Sequence, residues 1–420
     1  MIRILACSIL FAVLIGPASS QIPGIGPKAP AKRLFGGFLF TEGPAQDANG
    51  NLFFSDVRLN NLYKVDTAGK LSTFLTKTKS ANGIFFSRTG RMFSARGDGG
   101  DVIEIDPRTR KITVVAGKFG GKRFNGPNDL VIDVHGGIWF TDPNFRSNSQ
   151  NKTAVYYIDA GGTTTRVIDT LSRPNGILLS PREDVLYVAS TTPSAMMAYP
   201  VTAPGKVGAG RQLFGLAGRP VDGLTVDTLG NLYITRPASR AIEVITPRGK
   251  SLGRFTLPES PTNCAFGGPN MQTLYVTTRA SVFRADMLST GHRPMRLTSD
   301  VRTLRITGGR AKFAFVSTPF DKTRPYLMLA SATGTAPGFV VEGTRIPLQP
   351  DLFTDLSIAL LNTPLFNATL GRLDASGAGR ASFVLPPVGA GLVGQRFRFS
   401  TLRLLPVDGA SNAVEVALTR

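Results

Sequence analysis

Cysteine is nearly missing from this 420-residue chain: there are two, Cys7 and Cys264. Residues 1–20, "MIRILACSILFAVLIGPASS", carry one arginine, an apolar run from Ile4 to Ile15 and small residues before Gln21. That is the pattern of a secretory signal peptide cut after Ser20, with an apolar part too short to span a bilayer. Its removal leaves Cys264 as the one thiol, so no internal disulfide can form even in an exported protein. No later segment has an unbroken apolar run of membrane length, which predicts an exported protein, periplasmic or extracellular, without integral membrane contact. Acidic residues are also few: 48 basic against 28 acidic side chains gives 48 − 28 = +20, or +19 without Arg3. The basic residues are spread along the chain and no base-reading motif accompanies them, so nucleic acid is not the expected partner. Weak attachment to acidic envelope polymers is the reading that charge supports. With 42% hydrophobic and 18% charged residues, the chain is expected to fold and be soluble.

What is abundant is punctuation, 46 Gly and 29 Pro, and it is periodic. "DANGNLFFSD" from Asp47, "SRTGRMFSA" from Ser87, "DVHGGIWFTD" from Asp133, "SPREDVLYVA" from Ser180, "DTLGNLYITR" from Asp227 and "GPNMQTLYVT" from Gly268 are six copies of one unit. Their spacing, roughly 40–47 residues, is that of four-stranded propeller blades. Within a unit, short β-branched and aromatic runs alternate with turn residues, as in "DGLTVD", "NLYITR", "AIEVITP" and "SLGRFTL". The pattern predicts a six-bladed β-propeller over 31–298, with the early strand Arg33–Phe40 free to pair with a neighbouring blade and close the ring. Beyond about residue 300 the period is lost. "AKFAFVS", "PYLMLASA", "LSIALLN", "ASFVLPP" and "RFRFSTLRLL" read as strands of a smaller, all-β, sandwich-like domain over 303–420, which holds no His or Cys.

Five residues before each repeat start stand Glu42, Asn82, Asn128, Asn175, Asp222 and Asn263, each with a side-chain oxygen. Equivalent positions of a closed ring lie at one height about its axis, so these residues are expected to converge in the central channel. Two carboxylates and four amides facing one another need a cation. An all-oxygen set without His or Cys suits Ca²⁺ over Mg²⁺ or Zn²⁺, with other divalent cations as substitutes. Taken singly, Asn and Asp at strand starts are more often caps than ligands; six at a constant offset argue for a shared ion. Asn82 and Asn263 are read as ligands or as groups that orient neighbours or substrate.

The motifs "TEGP" (Glu42), "RFNGPNDLV" (Asn125, Asn128, Asp129), "IWFTDP" (Trp139–Pro143), "RPNGI" (Asn175), "VDGLTVD" (Asp222) and "CAFGG" with "TLYVTT" resemble the gluconolactonase and regucalcin (senescence marker protein) family, which shares a calcium propeller with diisopropylfluorophosphatase. The likeness runs from about Arg33 to Met295. It implies Glu42, Asn128, Asn175 and Asp222 as metal ligands, Asp222 also as base or nucleophile, and hydrolysis of a lactone or sugar-acid lactone. "ARGDGGDV" (Ala95–Val102) departs from the family pattern on the second blade.

On this reading, metal-activated water attacks the ring carbonyl and Asp222 takes its proton. Arg123, Asn125, Arg173 and Arg219 precede ring positions in loops and are candidate contacts, with Asn82, for an anionic substrate; the competing reading of the arginines is a solvated rim. Two further classes compete. One is a non-catalytic, calcium-stabilised binding propeller in the cell envelope, and the other a metal-free propeller similar to strictosidine-synthase-like proteins, which the pair Glu42 and Asp222 opposes. "GKSLG" (Gly249–Gly253) fits a nucleophile-elbow pattern, but it sits in a hairpin and His292 is the one histidine downstream, which argues against a serine hydrolase. "RGD" at Arg96–Asp98 and His135 at a turn tip are assigned no role. "NKT" at Asn151 and "NAT" at Asn367 match glycan acceptors, meaningful only in a eukaryotic secretory route.

Overall fold

The computed structural model describes residues 21–147, 149–192, 194–215, 220–268, 270–317, 321–342, 344–405, 407 and 409–420. The expected signal segment, Cys7 and Arg219 lie outside them. Between residues 32 and 286 there are six four-stranded antiparallel sheets, one of which carries an additional short hairpin strand at Lys206–Val207. Their innermost strands are Thr41–Gln46, Ala81–Phe86, Leu130–Ile132, Pro174–Leu179, Leu224–Val226 and Pro261–Gly267. Each packs against the next, and the sixth against the first, so the sheets form a closed propeller around a central channel. Closure is sealed by hydrogen bonds. Lys32–Gly36 pairs antiparallel with Ser281–Asp286 as the outer strand of the last sheet, leaving the ring no open seam.

The repeated Asp at the start of three units is a turn device. Asp47, Asp133 and Asp227 each accept backbone N–H groups from two and four residues ahead, for example Asn49 and Asn51 onto Asp47 Oδ1. The second carboxylate oxygen takes a donor from an adjacent strand: Asn51 Nδ2, Trp139 Nε1 with the Tyr157 hydroxyl, or Asn231 Nδ2 with the Tyr233 hydroxyl. The turn between the first two strands of each such blade is thereby stapled to its own sheet. Between blades the core is aromatic and aliphatic, with Phe53, Phe54, Phe124, Trp139, Phe140, Tyr156 and Tyr233 fully buried.

The rest of the chain is a two-sheet sandwich. One sheet has the order Arg296–Ser299, Gly309–Val316, Ala378–Leu385, Phe366–Asn367; the other runs Thr303–Arg305, Val414–Thr419, Arg396–Arg403, Pro325–Ser331, Leu370–Arg372. Phe313, Phe315, Phe366 and Phe383 from the first meet Tyr326, Met328, Phe397 and Phe399 from the second. Two details differ from the sequence expectation. Arg296–Thr298, the last residues of the span assigned above to the propeller, belong to the strand Arg296–Ser299, which pairs with Gly309–Val316 and buries Leu297 in the sandwich core. And "LSIALLN", read as a strand, lies largely in the α-helix Leu352–Ala359. Asp351 caps it, accepting from the Thr354 N–H while the Thr354 hydroxyl answers the Asp351 N–H, a local signal that a short apolar run conceals.

The sandwich sits on the face of the propeller formed by the turns at 87–91, 133–137 and 180–185. Arg88 is the centre of the contact: it pairs with Glu183 and donates to the carbonyls of Ala410 and Met295. Glu183 also accepts from the Val134 N–H at 2.7 Å. Arg182 donates to the Glu342 carbonyl and Arg296 to that of Thr89.

Candidate functional site

At the opposite end of the channel the first residues of the inner strands converge. Backbone irregularity aims them. The ladder between the first two strands skips between Glu42 and Ala45, Ala81 and Ile84, Pro174 and Ile177, and Pro261 and Asn263. Such bulges turn a side chain out of the pleat. In the third and fifth blades the regular ladder starts only at Leu130 and Leu224, just past Asn128 and Asp222. The inner strands also lie too close for ordinary side chains at the next position: a Cβ on Gly83 would fall 2.3 Å from Asp129 Oδ1, and one on Gly223 2.0 Å from Asn263 Cγ. Glycine follows the ring residue in four blades; Asp129 and Cys264 replace it in the other two.

A collar of hydroxyls holds the arrangement. Ser55 donates to the Asn82 carbonyl, Ser94 to that of Gly83, Thr141 to Asn175, Thr235 to Gly223 and Thr262, and Thr277 to Asn263. Each sits on the second strand of its blade, and the bonds of Ser55, Thr141 and Thr235 cross to the next blade, so the ring is tied both within and between sheets.

Within the ring Glu42, Asp129, Asn175 and Asn263 are buried and Asp222 keeps partial exposure. Glu42 Oε2 accepts from the Gly43 N–H at 3.0 Å and its carboxylate is also bonded by Asn263. Burial, then the neighbouring Asp222 and Asp129, push its pKa well up. Burial raises Asp222 to about 7, with Asp129 adding to the effect and a hydrogen bond from Asn175 opposing it. Asp129 rises to about 6 by burial, and its Oδ2 lies 3.5 Å from Asn263 Nδ2 across the channel. Among the described residues, no lysine or arginine is one of the groups that act on these three carboxylates. Among the described residues no three carboxylate, imidazole or thiolate groups close on one point; the site is a mixed set in which amides separate the acids. A dry, all-oxygen ring of uncompensated carboxylates fits a hard cation such as Ca²⁺ and offers nothing to a soft one. Cys264, buried beside the ring, has its thiol pushed up by burial and its Sγ against the Tyr233 carbonyl, so it is inert.

The structure sorts the sequence candidates. Glu42, Asn175 and Asp222 meet in the ring. Asn82 and Asn128 lie in equivalent places, and their side-chain amides have no hydrogen-bond partner among the described residues. Asp129 was not among the candidates, yet it is the third carboxylate. Asn125 does something other than expected: it is 1% exposed, donates to the Lys152 carbonyl at 2.7 Å and accepts from the Gln150 N–H at 2.9 Å. A buried amide matched at both ends cannot turn to a ligand without stranding two polar groups, so Asn125 anchors the loop that leads to Asn128. Asp142 holds the same loop, accepting from the Asn125 and Gly126 N–H groups. Arg123 is exposed and donates to the Asp98 carbonyl, and Arg173 is exposed with its guanidinium 5.8 Å from the Phe145 ring centre. Arg96 of "RGD" is locked to Asp101, and Ser251 of "GKSLG" donates to Glu243.

A family model described as the SMP-30/gluconolactonase/LRE-like region matches residues 40–280. The chain is 31% identical to a gluconolactonase of Zymomonas mobilis over 281 residues, covering 58% of this chain and 78% of that protein. It is 26% identical to a pentonolactonase of Haloferax volcanii, covering 60% and 91%. Among solved structures, a gluconolactonase of Xanthomonas campestris superposes with a TM-score of 0.56 at 26% identity, covering 61% of this chain and 89% of that one. A calcium-binding regucalcin of Agrobacterium tumefaciens superposes with a TM-score of 0.55 at 20% identity, covering 63% and 95%, a likeness of fold.

Proposed function

The chain belongs to the SMP-30/gluconolactonase/LRE-like family, and from that premise we propose that it is a calcium-dependent lactone hydrolase exported from the cell. The observation that carries the reading is the ring itself: three carboxylates, Glu42 and Asp129 buried and Asp222 partly so, with their amides and with no cationic side chain acting on them among the described residues. Glu42, Asn128, Asn175 and Asp222 would hold the ion, with Asp129 and Asn263 bonded behind them. When bound, Ca²⁺ would polarise the lactone carbonyl and offset the charge that develops on its oxygen.

The chain's own groups do the rest. Asp222 is the ring carboxylate that keeps an exposed side, whereas Glu42 and Asp129 are enclosed, so Asp222 is the group able to take a proton from an attacking water. The free amides of Asn82 and Asn128 can bond the carbonyl or ring oxygens of the substrate. The hydroxyl collar keeps these groups in place without reorganisation during the reaction. Residues 1–20 supply the export signal in this reading. The sandwich domain docks on the other face of the propeller and takes no part in the chemistry.

Initial rates over a panel of aldonolactones and aromatic lactones, with and without chelator, test the proposal. Hydrolysis abolished by chelation and restored by calcium is expected. Asp222→Asn should keep the fold and lose turnover; parental rates in that variant would remove Asp222 as the base. A protein that calcium stabilises but that opens no lactone would instead be the non-catalytic binding propeller.

A further inference from the structure

The family match ends at residue 280, and the chain beyond that point builds a second mouth to the channel. The linker crosses the far end, where the His292 N–H donates to the Val226 carbonyl, and then enters the sandwich at Arg296. Between this end and the oxygen ring lies a cavity of about 470 Å³. Its upper wall, just beneath the ring, includes Pro44, Phe85, Val131, Leu178 and Ala265, one from each of five blades, with Thr225 from the sixth. Its lower rim carries Arg88, His292, Arg293 and Arg296, beside Val316 of the sandwich.

The two ends differ in what they lack. The middle of the cavity is apolar and its two ends are polar: Asp129 and Asn263 of the ring line one, Asp47, Glu183 and the rim arginines the other. The rim has unmatched positive charge. Arg88 is engaged with Glu183. Arg293 makes no hydrogen bond or ion pair among the described residues. Its nearest carboxylate, Asp47, already accepts two backbone N–H groups and the Asn51 amide. Arg296 donates to the Thr89 carbonyl, and its Nε is buried without a partner. His292 is uncharged there and adds no compensation.

We propose that this lower channel is a binding compartment for an amphiphilic anion, an unbranched alkyl chain of medium length lying against the apolar wall with its carboxylate head between Arg293 and Arg296. The dimensions agree: the six residues from Asp222 to Asp227 span roughly 16 Å as strand, room for an extended decanoyl chain, and the volume is that of ordinary small-molecule sites. Charge selects the head and the wall selects the tail. Because three of the rim residues, His292, Arg293 and Arg296, and Val316 lie beyond the family's shared region, the compartment belongs to this chain's own architecture. It shares no ligating residue proposed above with lactone hydrolysis, so either reading can fail alone.

Isothermal titration of the full chain with decanoate tests it, with acetate and decanol as probes that lack the tail or the charge. Binding of one decanoate per chain is expected, with acetate and decanol much weaker. Arg293→Gln and Arg296→Gln should each weaken decanoate about tenfold, the worth of one charge-assisted contact, while lactone turnover by Arg293→Gln stays at the parental rate. Leu178→Trp, which fills the wall, should abolish binding; the two arginine variants decide the matter if that protein does not fold. Decanoate should still bind Asp222→Asn and chelated protein. No binding to the parent, equal affinity for decanol, unchanged affinity in both arginine variants, or loss of binding on chelation would each overturn the proposal.

Discussion

Calcium removal should make the protein's stability fall as the pH rises, the reverse of the usual behaviour of paired carboxylates. Burial lifts Asp222 from an ordinary value of 3.8 to about 7 and Asp129 to about 6, and raises Glu42 as well. A carboxyl group whose pKa is raised by folding contributes fully below its unfolded value and loses that contribution as the pH rises through the folded one. For the metal-free ring the window is therefore roughly pH 4 to 7. A rise of about 3 units for Asp222 corresponds to about 4 kcal/mol at pH 8. The three acids repel one another, so their losses overlap and do not add. The roughly 2 units between pH 5 and the raised value are worth about 3 kcal/mol, so at roughly 2 °C per kcal/mol for a domain of this size, calcium should raise Tm by about 6 °C more at pH 8 than at pH 5. The assay is thermal unfolding of calcium-free and calcium-loaded protein in matched buffers from pH 5 to 8. Taking the difference at each pH cancels the effect of the large positive charge. A calcium shift equal at pH 5 and pH 8 would refute the argument, because the ring acids would then not be competing with protons for the ion.

Arg88→Ala strands Glu183 in the domain contact and should cost about 3–5 kcal/mol, visible as a lower Tm and as faster proteolysis between Met295 and Arg305. Asn125→Ala removes two buried hydrogen bonds and should destabilise by about 2 kcal/mol. If Asn125 is an anchor, KM for any lactone changes little in the protein that remains folded; a large rise in KM with unchanged Tm would return it to the substrate. His135, whose ring nitrogens are buried without partners, is held down at about 4, chiefly by burial, with Arg345 and Arg88 adding to the effect and Glu183 opposing it. A depressed histidine removes stability as the pH falls below about 6.5, by about 3 kcal/mol once the pH reaches 4. His135→Asn should flatten that part of the acid limb in a pH series of Tm.

The features legible in the sequence are the local ones. The three Asp-x-x-Gly turns can be read because each Asp bonds its own turn within four residues, and with the copies that open on Ser87, Ser180 and Gly268 they mark the six blades. The ring came from a constant offset. Asp129 did not, because its place in the ring is set by its approach to Gly83 of the preceding blade and to Asn263 of the opposite one, relations between residues 46 and 134 positions apart. Asn125 looked like a substrate contact for the same reason. The groups that consume its amide, Lys152 and Gln150, arrive from a later loop, and nothing in "RFNGPNDLV" announces them. The hydroxyl collar was present in five of the six copies of the repeat, as Ser or Thr near the end of the second strand, and its recurrence was the signal available to find it. The helix at Leu352 was hidden by an apolar run of strand length, though Asp351 and Thr354 carried the capping pattern.

The placement of charge separates what the family fold does from what this chain adds to it. At the ring end, acids gather with no lysine or arginine acting on them among the described residues, which suits the positive ion proposed above. At the sandwich end, arginines gather with too few acids and the structure calls for a negative one. Between them Phe85, Val131 and Leu178 line the channel with apolar groups, and the inner strands are held in place by Ser55, Thr141 and Thr235, so the two sets of charges attract across the passage but cannot pair directly. The two proposals together give each end a counter-ion of its own, one of each sign. A single mobile salt pool would satisfy both ends alike, and would leave decanoate affinity and calcium affinity equally sensitive to added sodium chloride; an apolar partition predicts that screening weakens the exposed head contact at Arg296 far more than it weakens the enclosed ring.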